Sequence, residues 1–176
     1  MKSALRLAIV LLAMAVFVLI FPFSDAAVFG ATAPTIAINI DHAAPREIEE
    51  TTQKAVARDY ATAWQAMTAA LSQNRIDLLN ANFIGTANEK LSATIQEQKK
   101  AGLHQRITDQ GHAVDAVFYS PEGSAIELHD TAHLRIELLD GGKVVHSQDA
   151  AVHYVALLTA AENSWKVRVL EAVPAF

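Results

Sequence analysis

The sequence predicts an α+β domain in which three helices pack on a curved antiparallel sheet of about four strands. Two observations carry this prediction. From residue 46 to residue 102, apolar side chains recur every three or four positions, which is the period of an amphipathic helix. After Leu103 the period changes to two, which is typical of strands with one buried face. Helices followed by a run of long strands favour an α+β fold.

The helical half is expected to contain three helices. The first is long and follows Pro45, because its apolar positions continue to Leu71. A short second helix is expected over residues 75–82. The third is expected to begin at a capping box formed by Thr86 and Glu89, in which a hydroxyl and a carboxylate three residues apart satisfy free backbone N–H groups. Gly102 is expected to end this helix in the left-handed conformation.

Composition limits the class of protein. The chain has 176 residues, of which 52% are hydrophobic and 19% charged, so it is too apolar to be disordered and long enough for one domain plus an appendage. It contains no Cys, which excludes disulfides, thiolate metal sites and a cysteine nucleophile. The net charge is −5, and no cluster of Lys and Arg stands out. Nucleic-acid binding is therefore disfavoured.

The N-terminus predicts a membrane-targeting segment over residues 1–23. Lys2 and Arg6 precede an unbroken apolar run of 17 residues, from residue 7 to residue 23. That length lies between the core of a cleaved signal peptide and a short membrane span, so both interpretations stay open. In either case the basic residues stay inside and the domain is exported. We expect a domain anchored in the membrane through residues 7–23 with its folded part on the periplasmic or extracellular side, or secreted if the leader is cleaved.

Residues 24–45 are expected to form a linker between this segment and the folded domain. The stretch contains Pro34 and Pro45 and shows little periodicity. The folded domain is expected to occupy residues 46–176. A short extended piece is expected within the linker, at Ile36, Ile38 and Ile40.

The layout resembles the nuclear-transport-factor-two-like superfamily, also called the SnoaL-like or cystatin-like cone, over roughly residues 46–173. Three segments carry the resemblance: the long helix around residues 59–64, the hairpin at Gly141-Gly142 and the closing residues 164–167. The resemblance implies a cone whose concave sheet face lines a pocket. With an N-terminal anchor, it is also similar to membrane-associated proteins of mammalian-cell-entry operons and to inner-membrane components of conjugation and type IV secretion machines. Those proteins are assembly or scaffolding modules.

A carboxylate interrupts the apolar face of the predicted sheet. Asp130 has the same parity as Leu128 and Leu134, so it points towards the cone, where desolvation would disfavour its charged form. With Gly141-Gly142 as a two-residue turn, the register brings Asp130 opposite His153. An Asp–His pair of this kind suits acid–base catalysis.

Two alternatives to this catalytic interpretation stay open. Asp130 and His153 could form a satisfied polar pair that only stabilises the fold, or Asp130 could lie at the wet rim of the cone. The register is also sensitive to a single bulge within residues 145–152, which would reverse the face of every residue beyond it.

An aromatic stripe on the first helix either packs in the core or lines a pocket for an apolar ligand. The candidate pocket residues are Tyr60, Trp64, Met67 and, from the sheet, Tyr154. His129 and His133 lie about 13 Å apart if they are on a strand, too far for one metal ion, and are expected on the surface. No metal or other cofactor is expected.

Two functions follow as hypotheses. The first is a membrane-tethered or exported non-catalytic module that holds a partner protein, a second copy of itself or an apolar small ligand through the sheet or cone. The alternative is a small cone-fold enzyme, an isomerase, dehydratase or hydrolase, that acts on a hydrophobic small molecule with Asp130 as general base. The chain has no nucleophile elbow, phosphate-binding loop or zinc-protease motif, so the large motif-bearing enzyme classes are disfavoured.

Overall fold

The computed structural model describes residues 34–176. The apolar segment at residues 7–23 and the first part of the expected linker lie outside the described residues. Within residues 34–176, none of the helices combines the length and the apolar character that a membrane crossing requires.

Within residues 34–176, two α-helices and one short 3-10 helix form the helical layer. Helix α1 spans Glu50–Gln73, the 3-10 helix spans Ile76–Leu79, and helix α2 spans Gly85–Ala101. Three helical segments were therefore correctly expected, but the middle one is a single 3-10 turn. The reason is local, because Asn74 takes the left-handed conformation, with φ of 51°, and ends α1.

Of the two predictions made for the ends of helix α2, the one for the C-terminal end is confirmed and the one for the N-terminal end is wrong. Gly102 ends the helix in the left-handed conformation, as predicted. The capping-box prediction is wrong, because the helix begins one residue before Thr86 and no side chain caps it. The Thr86 hydroxyl instead donates a hydrogen bond to the backbone oxygen of Arg168, 3.1 Å away on the last strand. A tertiary contact has replaced the local one.

In the described part of the chain the sheet has six strands, of which four are long and antiparallel. The long strands are β3 (Leu103–Tyr119), β4 (Ala125–Asp140), β5 (Lys143–Ala161) and β6 (Ser164–Val173), which pair in that order. Two short strands, β1 (Ile38–Asn39) and β2 (Ala44–Pro45), pair parallel to β3 at its outer edge. The four expected antiparallel strands are present, and the added parallel strands make the sheet mixed.

Both added strands come from the stretch that was expected to be a linker. Ile36 and Ile38 are buried in the core, and the side-chain amide of Gln53 on helix α1 donates a 2.7 Å hydrogen bond to the backbone oxygen of Ile38. The described part of the linker therefore packs against the domain because its isoleucines cover apolar surface that the helices leave open.

The β4–β5 hairpin has the predicted turn but an unexpected bulge. Gly141 and Gly142 both have positive φ, which glycine adopts without strain. Leu139 pairs with Val144, but Leu138 pairs with His146, so Val145 is an extra residue in β5. Every pair beyond Val145 is shifted by one residue, and β5 presents the opposite set of side chains to the core.

The core lies between helix α1 and the concave face of the sheet. Val56, Trp64 and Met67 on α1 are buried against a sheet face that includes Leu128 and Leu134. Tight burial on both sides fills the centre of the cone with side chains.

We predict that Thr86→Ala lowers the free energy of unfolding by about 1 kcal/mol, because it removes the hydrogen bond to Arg168. Urea denaturation measures the change. Glu89→Ala is the matched control and should have a much smaller effect. Equal losses of stability in the two variants would support the capping-box interpretation and contradict the tertiary role of Thr86.

Candidate functional site

A buried polar cluster is centred on Asp130, in the middle of the concave face of β4. Asp130 is 0% exposed and is flanked by Val114 on β3 and Tyr154 on β5. The predicted position of this carboxylate on the inner face is confirmed. Burial of a carboxylate without partners would be costly, so the cluster depends on what surrounds it.

Two side chains occupy the carboxylate oxygens of Asp130. The Tyr60 hydroxyl donates a 2.8 Å hydrogen bond to Oδ2. His112 Nδ1 lies 2.9 Å from both Oδ1 and Oδ2. An N–H shared between two oxygens explains the equal distances, whereas a protonated carboxyl would direct its hydrogen from one oxygen only. We therefore assign the proton to Nδ1, so that His112 donates.

A second bulge, in β3, brings His112 into the core. The register shifts between Asp109 and Gly111, and Gly111 has φ of 140°, a conformation that favours glycine. The Asp109 carboxylate accepts a 2.7 Å hydrogen bond from the Gly111 N–H and lies 3.4 Å from His112 Nε2. The His112 side chain is 0% exposed. The local chain path thus directs a histidine at Asp130.

Aromatic rings enclose the cluster. The Trp64 ring makes edge contacts with His112 and Tyr154, with centroids 4.7 Å and 5.5 Å away. The Trp64 indole nitrogen and His112 Nε2 have no hydrogen-bond partner within the described part of the chain. These walls keep solvent away from Asp130.

Burial and charge keep the two neighbouring phenols protonated. Burial, and then the nearby Asp130 carboxylate, raises the pKa of Tyr60 well above its ordinary value of 10.0. The same causes in the same order raise the pKa of Tyr154. The Tyr60 hydroxyl is consequently a permanent hydrogen-bond donor to Asp130 at physiological pH.

The sequence analysis proposed Asp130 and five further site residues. Four of these five lie around Asp130, and His153 does not. Tyr60, Trp64 and Tyr154 contact the cluster, and Met67 is buried on the same face of α1. The predicted pairing of Asp130 with His153 is wrong, because the Val145 bulge places Tyr154 opposite Asp130.

His153 lies on the outer face of the sheet. It pairs with Thr131, and the Thr131 hydroxyl lies 3.0 Å from its Nδ1. Its ring also makes an edge contact with Phe176, which stacks on His129 with centroids 4.2 Å apart. The two histidines belong to a half-buried patch on the face of the sheet opposite to the carboxylate.

His112 is the site residue that sequence reasoning missed. A usable signal existed, since His112 shares the parity of Val114 and Ala116, which face the core. Gly111, which precedes His112, interrupts the apolar alternation, so the strand did not visibly extend back to His112 in the sequence.

Comparisons with known proteins support the fold. No protein-family model and no curated protein matches the chain. The intermembrane space region of the chloroplast protein ARC6 superposes with a TM-score of 0.61 at 16% identity, over 73% of this chain and 98% of that one. A periplasmic fragment of TraM (15% identity, 65% and 95% coverage, TM-score 0.48) and Aln2 from a Streptomyces species (13%, 72% and 94%, 0.47) also match. The likeness to the ARC6 region supports the expected α+β fold, and at 16% identity it shows the fold alone.

We predict that stability falls as the pH rises above 10.0. The unfolded chain then releases the Tyr60 proton while the folded chain retains it, because the pKa of Tyr60 is raised in the fold. Denaturant titrations at increasing pH measure the slope, and Tyr60→Phe should make it shallower. A Tyr60 phenol that ionises at its ordinary pH in the intact fold, seen in the absorbance of tyrosinate, would contradict the buried hydrogen bond.

Proposed function

We propose that the protein is a membrane-tethered or exported non-catalytic binding or scaffolding module built on a cone fold. The observation that supports this most directly is the closed state of the Asp130 cluster. A general base must come within hydrogen-bond reach of its substrate. Both oxygens of Asp130 are engaged by Tyr60 and His112, and neither of the Asp130 and His112 side chains is exposed to solvent.

The cluster is better explained as a structural connection. It joins helix α1, through Tyr60, to β3 through His112 and to β4 through Asp130. A buried charged group that is paired and hydrogen-bonded is tolerated, whereas removal of one partner leaves the other uncompensated. An apolar ligand in the cone would have to displace Trp64 or Met67, both of which are buried core residues.

The partner surface is proposed to be the sheet itself. Pairing of β5 with β6 stops at His153, so residues 143–152 of β5 form an open edge of the sheet. Residues 143–149 are exposed. An open edge of this kind accepts a further strand from a partner protein or from a second copy.

The membrane tether is proposed from the basic and apolar pattern of residues 1–23. Lys2 and Arg6 favour retention of the N-terminus inside and export of the domain. This part of the proposal is independent of the closed cluster.

A small cone-fold enzyme is the second candidate function, and one observation favours it. A carboxylate, an imidazole and the Tyr60 phenol meet at one point, which is an arrangement suited to proton transfer. In that case His112, rather than His153, would orient Asp130. The enzyme would also need an open state that exposes Asp130 to a hydrophobic substrate.

A stability series separates these two roles. We predict that Asp130→Ala lowers the free energy of unfolding by about 3–5 kcal/mol, because the buried His112 and Tyr60 lose their partner. Apolar replacement of the whole cluster (Tyr60→Phe, His112→Leu and Asp130→Leu together) should recover much of that loss. Asp41→Ala, in the exposed turn after β1, is the matched control. An Asp130→Ala variant as stable as this control would favour the enzyme.

Location provides a separate test. In bacterial cells that express the full chain, we expect protease added outside the cytoplasmic membrane to digest the domain, because residues 1–23 direct export. Membrane association after an alkaline wash then distinguishes an anchor from a cleaved leader. A domain that stays protected until the cells are lysed would contradict export.

A further inference from the structure

A second feature, distant from Asp130, is a groove at the hairpin end of the sheet. It has a volume of about 350 Å³ and is lined by Ser72, His104, Arg106, Leu139 and Gly142. Leu139 lies nine residues beyond Asp130 along β4, which corresponds to about 30 Å on an extended strand. The groove is therefore separate from the cone interior, and its size is in the range of small-molecule sites.

Neighbouring hydrogen bonds fix the tautomer of His104. The Asn74 side-chain nitrogen donates to the backbone oxygen of Leu103, 2.8 Å away, and lies 3.1 Å from His104 Nδ1. Since a carbonyl only accepts, the atom between them is the amide nitrogen, and Gln98 donating to Asn74 Oδ1 agrees with this orientation. His104 Nδ1 must accept, so its proton lies on Nε2. The imidazole can offer one N–H donor to a ligand.

Arg106 gives the groove a positive charge. Its Nε–H donates to Glu137 at 2.7 Å, and its two terminal nitrogens have no partner in the part of the chain that the structure describes. The side chain is 51% exposed. The planar pair of terminal nitrogens matches the two oxygens of a carboxylate, a geometry that a lysine cannot offer.

The charge around the groove differs from that of the domain as a whole. With Lys2, Arg6 and Asp25 set aside, residues 34–176 carry 12 basic and 18 acidic side chains. At this end of the fold, the basic groups slightly outnumber the acidic ones. The basic groups are Lys99, Lys100, Arg106 and Lys143, and the acidic groups are Glu97, Glu137 and Asp140.

That balance limits which anion can bind. The excess of one basic group complements a single negative charge, whereas the second charge of a dianion such as a phosphate has no basic group left to complement it, because Glu137 pairs with Arg106 and Asp140 lies near the turn. Leu139 provides an apolar wall, which favours a ligand with a hydrocarbon part.

We propose that this groove binds a small monocarboxylate with a short apolar chain. The carboxylate contacts the terminal nitrogens of Arg106 and the Nε2–H of His104, and the chain lies along Leu139. This inference does not rest on the proposed scaffolding function, because it concerns a different face of the molecule.

Hexanoate and its uncharged analogue hexanamide are the probes for the unmodified protein. In amide ¹H–¹⁵N NMR spectra, hexanoate should shift the signals of Leu139 and Gly142 in a saturable way. Hexanamide should bind at least about tenfold more weakly, because it loses the charge-assisted hydrogen bonds. Equal binding of the two probes, or no shift with hexanoate at millimolar concentration, would overturn the proposal. Tighter binding of hexyl phosphate would overturn the preference for a single charge.

Two arginine variants test the residue assignment. Arg106→Gln should weaken hexanoate binding about tenfold or more. Arg135→Gln is the matched control, since Arg135 also pairs with a carboxylate, Asp149, on an exposed strand but does not line the groove. Equal affinities in the two variants would refute the role of Arg106. A peptide with a free C-terminal carboxylate that binds where hexanoate does not would show that the groove takes a protein terminus instead.

Discussion

The contact between Asp130 and its two donors is the interaction on which the described fold most depends. Tyr60 comes from helix α1 and His112 from strand β3, and both reach the same carboxylate on β4. Helix and sheet are thereby held in one relative position by a buried, directional contact. Hydrophobic burial around it supplies most of the driving force but no comparable directionality.

Two irregularities in the sheet make this contact geometrically attainable. The β3 bulge at Gly111 directs His112 inwards, and the β5 bulge at Val145 brings Tyr154 rather than His153 next to Asp130. Each inserts one residue and so changes which side chains of its strand face the core. The composition of the cluster is consequently set by positions that make no contact with it.

The same two bulges limit how much of the fold and of the Asp130 cluster can be predicted from the sequence. The α+β class, the two long helices, the Gly141-Gly142 turn and the inward side of Asp130 follow from periodicity, which is local information. The partners of Asp130 do not, because a bulge leaves almost no trace in the pattern of apolar residues, and Val145 is itself apolar. The capping box predicted at the start of α2 was wrong for a related reason. The Thr86 hydroxyl donates its hydrogen bond to a strand more than eighty residues away. Local motifs describe what a residue can do, and tertiary contacts decide which bond it makes.

The centre of the cone and its hairpin end are chemically different. At the centre, both carboxylate oxygens of Asp130 are engaged and covered by aromatic rings, whereas at the hairpin end the terminal N–H groups of Arg106 have no partner among the described residues. This difference between the two regions supports the proposal of a binding module rather than an enzyme. The open edge of β5 is the proposed surface for a protein partner.

The closed state of the cluster can be tested directly through the imidazole proton of His112. In ¹H–¹⁵N NMR spectra of histidine-labelled protein, the account predicts a downfield resonance of a proton on Nδ1, visible because the buried hydrogen bond to Asp130 slows its exchange with water. That resonance should disappear in Asp130→Ala. A His112 ring proton that exchanges too fast to be seen in the folded protein would show that water reaches the carboxylate, and the structural role of the cluster would be wrong.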